Sequence, residues 1–216
     1  AGEVVPLAFS ARGREQRRPI WGDETIDFRA PLDLGWNHRR NPIRAHYRHE
    51  PAAGRLGLCC AAPTVDGIVH ETWIGRRQRH KEVRVTARLR CTPRPGEEAG
   101  LCVFMAERFR YDLVIRAGAA GRELCVRRTV ASMQVTSDPV ALADECVDLV
   151  IEADATHYRL GFRDAEGDTR ILVTSETRLL STELAGGFTG VYCALFARGA
   201  EAEPSVAWCE AFTYQT

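Results

Sequence analysis

Residues 81–90 read Lys-Glu-Val-Arg-Val-Thr-Ala-Arg-Leu-Arg. Val83, Val85, Ala87 and Leu89 alternate with Glu82, Arg84, Thr86, Arg88 and Arg90. Successive side chains of a strand point to opposite faces, so this stretch predicts a strand with one buried and one wet face, as in an antiparallel sheet. The pattern spreads in both directions. Upstream, 55–60 and 68–74 predict strands, and 25–29 and 43–50 predict shorter ones, with a turn-rich segment at 32–42 around Trp36. Residues 75–80 predict a basic link, which leaves Arg76 and Arg77 between two strands. Downstream, 99–106 is almost continuously apolar and predicts a strand covered on both faces. The segments 109–116 and 122–128 flank Ala-Gly-Ala-Ala-Gly at 117–121, a hairpin loop. Further strands are expected at 130–135, 147–153, 158–163, 169–174, 191–196 and 206–214, with one helical turn at 179–184. Many short strands and almost no helix predict an all-β sandwich or barrel.

The composition narrows the class of function. Formal net charge is zero, so no overall field favours nucleic acid or an anionic membrane surface, and neither is expected as a partner. No run approaches the roughly 18 apolar residues of a membrane helix. The chain opens on Ala1 with no apolar signal core. Residues 1–23, with Pro6, Pro19 and several arginines, read as an extended arm or inter-domain linker, and 24–216 as one domain. Eight cysteines make a disulfide framework arithmetically possible. Yet Cys60, Cys102, Cys125 and Cys193 sit in apolar strand-like runs, where Cys behaves as a small hydrophobe. Free thiols and a reducing cytoplasm are therefore expected.

A second stretch stands out. Residues 184–197 read Leu-Ala-Gly-Gly-Phe-Thr-Gly-Val-Tyr-Cys-Ala-Leu-Phe-Ala. Gly186, Gly187 and Gly190 bracket Phe188 and Thr189, which predicts a tight loop running into a buried strand. Such a loop either presents the Phe188 ring outside the core or folds it over the core's end as a bulge.

Other chemistries find less in the chain. Glu152-Ala153-Asp154 begins the one-strand carboxylate motif of some glycanases, but Thr156 and His157 stand where a second Glu belongs, so both acids read as a strand's wet face. His46 and His49, three apart on an expected strand, would point to opposite faces and share no metal. His49-Glu50 opens a zinc-protease motif that lacks its second His, since Ala53 stands there. His70 and His157 read as structural, and no Cys-His pairing is legible for Cys193. No catalytic residue, metal site or cofactor is expected, apart from a structural calcium that Asp23, Asp27 or a C-terminal acid would hold.

Several segments, in order, resemble one family. These are Asp27-Phe28, Leu34, Trp36-Asn37-His38-Arg39-Arg40-Asn41-Pro42, Arg76-Arg77-Gln78 with His80, Ala99-Gly100-Leu101, and Gly187-Phe188-Thr189-Gly190 with Val191. Over 24–215 the chain is similar to the C-terminal domain of family 43 glycoside hydrolases, the β-xylosidases and α-L-arabinofuranosidases. The resemblance implies a concanavalin A-like sandwich of two curved antiparallel sheets. It implies that catalytic acids reside on a separate propeller domain, against which the sandwich packs. It implies that Phe188 and Thr189 narrow a pocket for xylo- or arabino-oligosaccharides, with Arg76 and Arg77 as polar contacts to sugar or to the catalytic domain, or as a solvated loop. The chain departs from the family at His38 and Arg39, where aromatic or aliphatic residues are usual. Rival readings are a free-standing lectin-like carbohydrate-binding module using exposed Trp or Tyr, and an oligomerisation domain.

Overall fold

The computed structural model describes residues 22–61, 64, 65, 68, 69, 71–119, 121–187, 190–199 and 203–216. The first part of the chain forms β1 (Glu24–Ile26), β2 (Trp36–His38), β3 (Tyr47–Glu50), β4 (Arg55–Cys59), β5 (Thr64–Val65), β6 (Ile68–Val69), β7 (Thr72–Arg77) and β8 (Val83–Arg90). Then come β9 (Glu98–Ala106), β10 (Phe109–Gly118), β11 (Gly121–Val130), β12 (Met133–Thr136) and β13 (Val140–Ala141). The last are β14 (Cys146–Ala153), β15 (His157–Arg163), β16 (Thr169–Glu176), β17 (Tyr192–Arg198) and β18 (Val206–Gln215). One short helix, α1 (Thr182–Ala185), precedes the glycine loop.

Two eight-stranded antiparallel sheets make the concanavalin A-like sandwich. The first runs β16-β15-β14-β8-β18-β4-β3, with β1 also on β18, and the second runs β12-β11-β10-β9-β17-β7-β2, with β13 also on β11. The alternating stretch at 81–90 becomes β8, near the middle of the first sheet between β14 and β18. Val83, Val85, Ala87 and Leu89 face the core, where Val85 and Ala87 have no exposure. The continuous apolar run becomes β9, paired with β10 and β17. Its odd-numbered residues Ala99, Leu101 and Val103 enter the main core, and its even-numbered Cys102 and Phe104 enter a second apolar cluster on the opposite face. Burial on both faces is why this strand reads as unbroken rather than alternating.

Four boundaries differ from the sequence reading. The strand expected at 68–74 is divided between β6 and β7, and β7 continues to Arg77 because β17 pairs with it on one side and β2 on the other. The expected basic link is therefore half strand, and Arg76 and Arg77 lie within β7. The candidate at 25–29 ends at Ile26, and Phe28 takes a left-handed φ of 57° that turns its ring into the core. The candidate at 43–50 opens with a 3-10 turn at Arg44–His46 before β3. The strand expected at 130–135 is divided between β11 and β12 by a turn at Ala131, with φ 55°. In β18 the register slips between Cys209 and Ala211, leaving Glu210 as a bulge. That slip lets Cys209, Phe212 and Tyr214 all face the core despite their odd spacing.

Close strand packing makes one glycine irreplaceable. A Cβ on Gly100 would lie 1.8 Å from the Leu113 carbonyl oxygen. Rigid backbone cannot yield as a side chain does, so Gly100→Ala is expected to destabilise the fold by about 3 kcal/mol, near the top of the usual overpacking range. Urea denaturation followed by tryptophan fluorescence checks this.

Candidate functional site

The candidate site is built at one end of the sandwich, where β7 finishes and β17 begins. Helix α1 closes with the Gly186 N–H donating to the Thr182 carbonyl at 2.9 Å. Gly186, Gly187 and Gly190 have φ of 71°, 79° and 71°, the left-handed region that favours glycine. Phe188 and Thr189, the residues expected to meet sugar, lie outside the described residues. The loop's return is pinned to β7's end by the Gln78 N–H, which donates to the Val191 carbonyl at 2.9 Å.

The Arg76-Arg77-Gln78 stretch divides by strand alternation. Arg77 points outward, lies 4.8 Å over the Tyr192 ring and donates to that hydroxyl at 2.8 Å. Its Nη1 is 3.1 Å from the place a Cβ would occupy on Gly190, so it rests against the glycine loop. Arg76 points inward, is 5% exposed, and pairs with Asp33 at 2.8 Å and Glu24 at 2.7 Å. Its guanidinium also lies 5.3 Å from the centre of the Trp36 ring. Gln78 Oε1 accepts from the Tyr158 hydroxyl at 2.7 Å, while the Tyr214 hydroxyl accepts from the Arg79 and His80 amides at 2.9 and 3.2 Å. The base of the loop is thereby tied to both sheets.

A buried charge cluster was not legible in the sequence. On the outer face of the second sheet, Trp73, Cys102, Phe104, Val114, Cys125, Ala194 and Phe196 form the second apolar cluster. Arginines lie across it: Arg39 and Arg110 each stand 5.4 Å from the Phe104 ring, and Arg110 stands 5.3 Å from Phe196. Arg110 pairs with Glu71 at 2.5 Å and Asp112 at 2.7 Å, and Glu71 also meets Arg39 at 2.8 Å. Burial pushes the Asp112 carboxyl up, against the pull of Arg110. Glu71 is held down despite its burial by Arg110, Arg198 and Arg39. These acids face guanidinium groups, and the geometry serves charge neutralisation under a sheet. Arg110 and Asp112 alternate with core residues along β10, a visible hint, but Glu71 lies 39 positions from Arg110. The departures at 38 and 39 find partners here: His38 packs edge-on to Tyr47 at 4.8 Å, and Arg39 pairs with Glu71 and Glu107.

The remaining candidates are placed as follows. Glu152 pairs with Arg84 at 2.9 Å across neighbouring strands. Asp154 accepts from the Thr156 hydroxyl and from the Thr156 and His157 amides, which with Arg159 hold its carboxyl well below the usual range. His46 lies in the 3-10 turn and His49 in β3, where Nε2 is 2.8 Å from the Phe28 carbonyl. Asp23 accepts from the amide and hydroxyl of Thr216, and Asp27 from the Arg29 amide. All eight cysteines are free thiols and all but Cys146 are buried. Burial pushes Cys91 and Cys193 up to about 12. Trp36, Trp73, Tyr111, Tyr158 and Tyr214 are buried, and Tyr47, Tyr192 and Trp208 are half-buried. Among the described residues no Trp or Tyr is exposed.

Fold and loop together define a concanavalin A-like sandwich with a glycine-hinged loop at one end. The chain belongs to the family of β-xylosidase C-terminal concanavalin A-like domains, whose model matches residues 25–215, and is thus a C-terminal domain of the family 43 glycoside hydrolase type. It is 31% identical over 186 residues to the non-reducing end α-L-arabinofuranosidase of Bacteroides ovatus, covering 83% of this chain and 35% of that enzyme. The solved xyloglucan-locus family 43 protein of B. ovatus superposes with a TM-score of 0.79 at 30% identity, over 88% of this chain and 38% of that one. The xylan β-1,4-xylosidase of Bacillus halodurans shares the fold, with a TM-score of 0.79 at 19% identity over 100% of this chain and 41% of that one. The chain therefore spans 35–41% of the length of these three relatives.

Two charge predictions follow from the geometry. Arg110→Ala would strand Asp112 as a buried charge and leave Glu71 to Arg39 and Arg198, and is expected to destabilise the domain by about 3–5 kcal/mol. Arg110→Met with Glu71→Gln and Asp112→Asn should lose much less, and chemical denaturation of both variants checks the contrast. Glu98 is partly buried, which would raise its pKa, yet hydrogen bonds and charge from Arg127 and Arg198 hold it at about 2 rather than 4.5. A depressed carboxyl stabilises the fold above the unfolded pKa, so this contribution is complete above pH 4.5 and disappears as pH falls toward 2. Glu98→Gln should lower stability at pH 7 by about 1–3 kcal/mol and flatten the acid limb of the stability profile.

Proposed function

We propose that this chain is a non-catalytic accessory domain of a family 43-type β-xylosidase or α-L-arabinofuranosidase. In this reading it packs on a catalytic domain and narrows that domain's sugar pocket with Phe188. The observation that carries the reading is the anchored glycine loop: three left-handed glycines, a return strand tied through Gln78, and Arg77 resting against Gly190. Rigid anchoring at both ends suits an aromatic that must hold one position against a sugar ring. An aromatic wall excludes water from glycosidic chemistry while acids on the partner transfer the protons. Thr189 and the outward-facing Arg77 supply hydrogen bonds at the same rim. Arg76 acts one layer behind, holding the turn and strand on which the rim is built. Substrates of this reading are xylo- or arabino-oligosaccharides, as the names of the related enzymes suggest. Eight free thiols support a reducing compartment, the cytoplasm. The lectin-like rival needs an exposed Trp or Tyr, and the described ones are buried or half-buried.

The test has two arms. The chain alone, assayed with aryl xylosides and arabinofuranosides, should show no turnover; activity that follows the purified protein overturns the accessory role. The B. ovatus arabinofuranosidase, with its matching segment exchanged for this chain, should lose kcat/KM by about tenfold or more on Phe188→Ala, through a misplaced substrate. Unchanged kinetics would remove Phe188 from the pocket.

A further inference from the structure

We infer that the first sheet carries a sugar site of its own, a fork between β14 and β15 that takes a neutral oligosaccharide at the end of the sandwich opposite the glycine loop. That the sugar is a xylo- or arabino-oligosaccharide rests on the accessory-domain reading; the fork itself does not. Strand register makes the fork. β8 starts just after the loop base at His80 and ends at Arg90, where Cys146 of β14 lies opposite it. β14 lies against β8 along all of Cys146–Ala153, but its pairing with β15 stops at Leu149 and Phe162. Beyond that pair the two strands part, and β15 runs into the hairpin that leads to β16. The cleft between the parted ends has a volume of about 450 Å³. That lies within the usual range for small-ligand sites.

Both walls of the cleft are fixed by hydrogen bonds to backbone. On one side, the Leu142 amide donates to the Arg122 carbonyl at 2.9 Å, and Arg122 donates to the carbonyls of Glu145 at 2.9 Å and Cys91 at 2.7 Å. On the other, the Asp164 amide donates to the Asp168 carbonyl at 2.9 Å, and the Gly167 amide to the Asp164 carbonyl at 3.1 Å. The Asp168 amide donates to Asp164 Oδ1 at 2.8 Å. Walls held in this way need no ordering when a ligand arrives, which lowers the entropy cost of binding. Val147 and Phe162 lie nearly buried at the floor, and Leu142 is half-buried on one wall. Exposed Ala143 and Ala165 face the cleft with small side chains, one from each wall.

The polar groups around the cleft have bonding capacity to spare. Elsewhere on the same sheet, Arg84 meets Glu152 at 2.9 Å and Arg90 meets Glu210 at 2.8 Å. In the cleft, Arg163 reaches only Asp148, at 4.0 Å, and Arg88 stands 3.3 Å from Asp148 and 3.4 Å from Glu210. Arg170 meets no carboxylate and donates no hydrogen bond among the described residues; its guanidinium stands 5.9 Å from the centre of the Phe162 ring. Asp144 and Glu166 are exposed and accept no hydrogen bond among the described residues. The mixture selects the occupant. Four carboxylates, of Asp144, Asp148, Asp164 and Glu166, stand among three guanidiniums. An anion would meet the four like charges, and a cation the three. Among the described residues no three His, Cys, Asp or Glu are placed to hold a metal ion. A sugar hydroxyl both donates and accepts, so it satisfies guanidinium and carboxylate at once. The C–H face of the ring covers the apolar floor, the usual division of labour in a small-ligand site.

The test is a titration of the isotope-labelled chain with xylohexaose and with arabinohexaose, followed by amide NMR. Shifts should saturate with a Kd of about 1 mM or tighter. They should concentrate at 142–148 and 163–170, the two walls of the fork. Arg170→Ala with Glu166→Ala should weaken binding tenfold or more. The Tm of that variant should stay unchanged, since both side chains are exposed and make no hydrogen bond or ion pair. Ala165→Trp, which fills the cleft and leaves its charges in place, should abolish the shifts. Shifts confined to another surface, or none at ten times that concentration, overturn the inference, as does binding that either variant leaves unchanged. Tighter binding of hexagalacturonate than of the neutral chains at the fork assigns it to an anion and overturns the neutral class. If maltohexaose alone binds at the fork and both variants remove it, the fork stands and the accessory-domain reading loses its sugar. If nothing binds at the fork while Phe188→Ala still lowers kcat/KM in the exchanged enzyme, the fork falls and the accessory role stands.

Discussion

The inward guanidinium of Arg76 is the interaction on which the loop-bearing end of this protein depends. It joins Glu24 of the first sheet to Asp33 of the turn before β2, and it lies on the Trp36 ring between them. A buried cation is tolerated only when its charge and donors are satisfied, and two carboxylates and an aromatic face satisfy this one. The consequence is geometric. The two sheets cannot slide past each other at this end without stranding a charge, and the Asp33 turn holds Leu34 in place for the same reason.

The two sheets manage their outer faces differently. On the first, Arg84 with Glu152, and Arg88 and Arg90 with Glu210, form an exposed charge ladder in which each pair contributes little. Trp208 on that face is shielded by Arg55 at 4.0 Å. On the second, Arg110 stands over Phe104 and Phe196 and is nearly buried, and Arg127 beside it is largely buried too, so their pairs with Glu71, Asp112 and Glu98 cannot be broken cheaply. Aromatic rings that would offer a sugar platform are roofed by the protein's own cations.

The hydrogen bond from Gln78 to Val191 and the contact of Arg77 with Gly190 stiffen the base of the loop, and glycines with left-handed φ stand before and after its two central residues. The sequence stretch 76–80, which read as a basic link, is therefore the abutment of the loop.

The strand pattern, the antiparallel two-sheet class and the glycine loop were legible from residues alone, because period-2 alternation and left-handed glycines are local constraints. Val83 to Leu89 declare their face without reference to anything distant, and so does the hairpin read at 117–121, which joins β10 to β11. What remained hidden depended on contacts between residues far apart in the chain. Arg76 and Arg77 look alike until β2 and β17 extend the strand around them and send one inward and the other outward. Glu71, Arg110 and Arg39 become a unit only when three separate segments converge, and Leu34 and Met133 share an end only through the register of seven strands. Local chemistry determined which segments are strands; long-range pairing decided which side chains are buried, which are paired, and which are left facing out.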